Sequence, residues 1–134
     1  MTILAMHHEN DPKQAIIDAV GDLSPATVMH NELLVGVYIR PDSYKTKTGH
    51  EIFLTQNFRE EDKFQGKVGV VLAKGPLAFV DDADIQFHGQ DVNVGDWIVF
   101  HSGDGWSLTI RGVLCRMVRD NAVRMIVPTP DFVY

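Results

Sequence analysis

Six histidines, a single cysteine and eighteen carboxylates are the groups in this 134-residue chain that could do chemistry. A metal site needs ligands gathered on one face, commonly through His-x-x-x-His or Cys-x-x-Cys spacing. His7 and His8 are adjacent and the other histidines are dispersed, so neither spacing occurs. The densest acidic cluster is Asp81, Asp82 and Asp84, and no Ser/His/Asp or paired-carboxylate set follows from spacing. Gly103-Asp104-Gly105-Trp106 is Gly-rich, but no Lys-Ser/Thr follows it to hold a phosphate, and it reads as a hairpin turn. The expectation is therefore a protein with no catalytic residue, no metal and no cofactor. What remains is adhesion. Ile52-Phe53-Leu54 is an apolar tripeptide inside the polar stretch 42–63, and each such side chain is worth ~1.5–3 kcal/mol on burial.

The elements around these residues read as β. Leu33 to Arg40 alternates Val35, Val37 and Ile39 with Gly36, Tyr38 and Arg40, and Pro41 ends it. Gly66 to Gly75 is a Gly-bounded strand, and Val92-Asn93-Val94-Gly95-Asp96 is a tight corner feeding a strand through Phe100. Trp106 to Arg111, Val113 to Val118 and Val123 to Val127 supply the remaining strands, with Val70, Leu72, Ile98, Phe100, Leu114, Val118 and Ile126 as core positions. Upstream, Asp11-Pro12 is a helix start, Ala15, Ile16, Ala19 and Val20 form an apolar stripe, and Gly21 is a stop. So short a helix must dock on something, its own barrel or a neighbouring subunit.

Composition narrows the classes. A net charge of −6 with scattered basic residues argues against a nucleic-acid groove. No charged-then-apolar signal segment and no span of ~20 apolar residues is present, so no membrane partner is expected. Cys115, being alone, excludes an intrachain disulfide and suits a reducing compartment, or a virion assembled in one. The chain divides into an N-terminal arm with a short helix, residues 1–27, and a small β-barrel, residues 28–134.

Lys47-Thr48-Gly49-His50-Glu51-Ile52-Phe53-Leu54, then Gly66 to Gly75, then Val92 to Phe100, follow one another in an order that resembles the GroES-like co-chaperonin family. The resemblance covers about Leu33 to Val127 and is carried most specifically by the Val-Gly-Asp strand. It implies an all-β, GroES-like barrel in a homo-oligomeric ring that caps a GroEL-like chaperonin ring in the cytoplasm. Ile52, Phe53 and Leu54 would be the docking tripeptide of a mobile loop, and Asp81, Asp82 and Asp84 the acidic rim of a roof loop. His50-Glu51 stands where the family has its Gly-Ile junction, and Phe53 is bulkier than usual. The arm has no counterpart there. These departures support an alternative, a bacteriophage capsid decoration or cement protein on the same barrel, with the major capsid protein as partner and the virion as location.

Overall fold

A computed structural model describes residues 5–6, 11–39, 43–45, 51–53, 67–101 and 103–133, with the backbone alone at 5–6, 43–45 and 51–53. In chain order the elements are β1 (Ala5–Met6), α1 (Pro12–Val20), β2 (Glu32–Val37), β3 (Ser43–Lys45), β4 (Glu51–Phe53) and β5 (Val68–Lys74). They continue with β6 (Trp97–Phe100), β7 (Trp106–Ile110), β8 (Val113–Arg119) and β9 (Val123–Val127). The fold is mostly sheet. Six strands form one antiparallel sheet in the order β7-β8-β2-β5-β6-β9, and β1-β3-β4 form a second, small one. The larger sheet is open, with β7 and β9 on the outside. No helix among the described residues is long and apolar enough to cross a membrane.

β2 is central, paired to β5 and β8, and it is buried on both faces from Leu33 to Val37. One face gathers Leu33, Val35, Val71, Ile98, Phe100 and Val118 into the main core, closed by Ala78 and Val92 of the loop that follows β5. The opposite face is covered by α1, whose Val20 packs with Leu34 and Cys115. Ile16 packs there too, and the helix approaches so closely that a Cβ on Gly36 would lie 2.5 Å from Ile16 Cγ2. The arm's helix therefore docks on its own sheet.

The ends of α1 are satisfied as its sequence requires. The Asp11 side chain accepts from the Lys13 N–H at 3.4 Å, Pro12 opens the helix, and Gly21 closes it at φ 76°. Arg111 then donates from Nη1 to the carbonyls of Val20 and Asp22, at 2.5 and 2.7 Å. The Val20 carbonyl is one that a helix C-terminus leaves unpaired, and that of Asp22 lies just beyond the cap. The same arginine ties the arm to the β7–β8 turn, which no local pattern foretold.

The core assignment needs correction at three positions. Val70, Ile98, Phe100 and Val118 are buried, whereas Leu72 and Leu114 are half-buried and Ile126 is 51% exposed. Ile126 stands opposite Ile98 in the ladder, but β9 is an outer strand, with none beyond it among the described residues, and the core packed over Ile98 does not reach across to Ile126. The Gly95 corner is as expected: its φ is 97°, and its N–H donates to the Val71 carbonyl at 2.8 Å.

Candidate docking and assembly sites

The apolar tripeptide falls on β4. Glu51, Ile52 and Phe53 pair antiparallel with Lys45, Tyr44 and Ser43 of β3, while Leu54 lies outside the described residues. β3 in turn pairs with β1 of the arm, Ala5 opposite Lys45 and Met6 opposite Tyr44. With the order β1-β3-β4, the strand carrying Ile52 and Phe53 is an outer one. Its free side holds backbone groups with no ladder partner among the described residues, which is the geometry that accepts an added strand.

The second feature is the loop between β5 and β6. Among its residues there are turns and bends rather than strands. Asp81, Asp82 and Asp84 are exposed, and two of them organise the loop itself. Asp82 Oδ1 accepts from the Asp84 and Ile85 N–H groups at 2.7 and 2.8 Å, and Asp81 Oδ1 accepts from the Phe87 N–H at 2.7 Å. The Ile85 N–H, followed by that of Asp84, holds the Asp82 carboxyl below its ordinary range. The Asp84 carboxylate makes no contact of this kind among the described residues.

The apolar residues of this loop divide. Phe79 and Phe87 meet edge-on with ring centroids 5.4 Å apart, whereas Leu77 and Val80 are 54% and 50% exposed. Phe79 has a φ of 61°, unusual for a bulky side chain. Its N–H donates to Asp120 Oδ2 at 2.9 Å, and Asn31 Nδ2 donates to Asp120 Oδ1 at 3.1 Å. Asp120, only 3% exposed, thus anchors the loop to the end of β8. Between loop and β9 runs a groove of about 660 Å³ whose apolar lining includes Phe79, Phe87, Val92, Met125 and Ile126.

Sequence reasoning passed over Asp120 and Arg116. Arg116 occupies a core-facing register position, opposite Val35, and is 7% exposed. It donates from Nη2 to the Asp104 carbonyl at 2.6 Å and lies 5.9 Å from the Phe100 ring centroid. The signal was present: Leu114, Arg116 and Val118 alternate, so the arginine had to enter the row of core positions. Asp120 gave a weaker one, a charge between two apolar strands.

No cluster of three or more His, Cys, Asp or Glu suited to a metal ion exists among the described residues. Cys115 is fully buried, and burial pushes its thiol from 9.0 up to about 11, the opposite of what activates a nucleophile. The surfaces with something to offer are the outer edge of β4, the outer strand β9 and the groove beside it. No protein-family model matches the chain, and no curated protein matches it either.

Proposed function

We propose that the chain is a co-chaperonin-like subunit: a GroES-like barrel that assembles into a homo-oligomeric ring and caps a chaperonin folding chamber. In this reading it binds no nucleotide and catalyses nothing, and ATP hydrolysis belongs to the partner ring. The observation that carries the proposal is the placement of Ile52 and Phe53 on an outer strand, within a segment inserted between two central strands of the large sheet. That is where a docking loop must lie to reach a partner without disturbing the core. The open sheet suits assembly as well. β9 exposes Met125 and Ile126, 48% and 51%, beside an apolar groove, a surface that a second copy would cover in the ring.

A single docking segment binds weakly, because ordering backbone costs ~1–2 kcal/mol per residue. Several copies on one ring turn that weakness into avidity. The cement-protein reading drew on an arm with no co-chaperonin counterpart and on the departures of the docking loop from the family pattern. Here α1 of the arm packs on its own sheet, held by Ile16, Val20 and the Arg111 clasp, so this helix is not the part that would reach a shell.

The deciding experiment is retention on purified chaperonin rings with ATP. Wild type is expected to be retained, and a variant with Ile52, Phe53 and Leu54 all changed to Ser is expected to be lost while its sheet stays folded. Equal retention of both would remove the docking role. Failure of wild type to bind, with co-sedimentation on phage capsids instead, would replace the proposal with the decoration role.

A further inference from the structure

We infer that the N-terminal arm is a built-in third strand that pre-orders the docking segment from behind; the inference rests on the co-chaperonin reading only for what that segment docks on. The starting point is the size of β3 and β4, three residues each. A two-stranded antiparallel pair this short is marginal in water, and a third strand is what ordinarily gives such a pair independent stability. β1 supplies it, from residues far away along the chain: Ala5 and Met6 take the outer side of β3.

The register is informative. Met6, Tyr44 and Ile52 fall on one line across the three strands, so residues of apolar type meet in register on every strand. Ala5, Lys45 and Glu51 form the next line, which sets a basic residue directly opposite an acidic one.

The strand order also decides the direction of the effect. Had the arm lain against β4, it would occupy the edge that a partner needs and act as an inhibitor. It lies against β3, so the outer edge of β4, with Ile52 and Phe53, has no strand against it among the described residues. The arm therefore lowers the entropic cost of docking without competing for the docking strand, which is the physical content of pre-organisation. Just beyond it, Asp11 caps α1, and the helix and the Arg111 clasp fix one end of the arm to the large sheet. The tether keeps β1 at high effective concentration near β3.

Removing residues 1–10 tests this and spares the Asp11 cap. In the free protein, amide exchange at 43–45 and 51–53 is expected to accelerate at least tenfold, with β2 and β5 unchanged. Affinity for chaperonin rings in the presence of ATP should fall by about tenfold. A full-length variant carrying Ala5→Pro and Met6→Pro, which removes the strand's N–H donors, is expected to behave alike. Unaltered exchange in both variants would overturn the inference, and so would tighter docking after deletion, the mark of an obstructing arm. If wild type does not dock on chaperonin rings at all, the functional reading fails, while the exchange measurement still decides what the arm does.

Discussion

Gly36→Ala is the sharpest test of how the arm's helix is seated. A Cβ at this position would lie 2.5 Å from Ile16 Cγ2 and 3.2 Å from Leu72 Cδ1. The first distance is well inside van der Waals contact, and Ile16 is β-branched, so its rotamers offer little escape. α1 must lift or tilt, and overpacking of this kind costs ~1–3 kcal/mol. Against it stands the smaller unfolded-state entropy of Ala, worth ~0.4–1 kcal/mol. The net expectation is a loss of about 1–2 kcal/mol, read from the urea midpoint at constant slope. Ile16→Ala alone should also destabilise, since it strips apolar contact from the helix. The double variant is where the reasoning is exposed: the added methyl enters the space that Ile16 vacates, so the two losses should fail to add by ~0.5–3 kcal/mol. Strict additivity would mean that α1 does not sit over Gly36, and the account of the arm's docking would fall with it.

Four further outcomes follow from named contacts. Ile98→Ala, in the centre of the main core and fully buried, should cost ~2–5 kcal/mol, visible as a lowered denaturation midpoint. Gly95→Val should damage folding by ~1–2 kcal/mol through its φ of 97° alone, because nothing lies within 4 Å of the added Cβ; Gly95→Asn should be tolerated better, and equal losses would contradict the conformational explanation. Asp120→Ala removes the acceptor for both Phe79 N–H and Asn31 Nδ2, so it should cost ~1–3 kcal/mol and speed amide exchange at Phe79. Cys115 introduces a pH dependence: the folded thiol keeps its proton up to about 11 while an unfolded one loses it near 9.0. Between those values the native state holds more protons, so stability is full below pH 9 and falls as pH rises toward 11. Cys115→Ala should flatten that window in pH-dependent urea titrations, and an unchanged slope would show the thiol is not shielded.

Local chemistry was enough to locate most of the elements. Asp11-Pro12 and Gly21 bound α1 because capping and backbone freedom act within a few residues. Gly95 announced its corner for the same reason. The strands from β5 to β9 were legible because β-branched and aromatic runs stand between turn residues, a signal that needs no knowledge of partners. Ile52-Phe53-Leu54 stood out as an apolar island in polar sequence, though its pattern said nothing of which strand would lie beside it.

Packing decided the rest. Only the sheet order reveals that β2 is central and buried twice over, that β9 is an outer strand, and hence that Ile126 is exposed although it pairs with a core residue. Only the fold brings Arg111 to the end of α1, and Asp120 to Phe79, contacts across 91 and 41 residues of chain. The pairing of Ala5 and Met6 with β3 belongs to the same class. A side chain or strand edge finds such partners through three-dimensional proximity, and no local periodicity encodes the identity of a partner that distant in sequence.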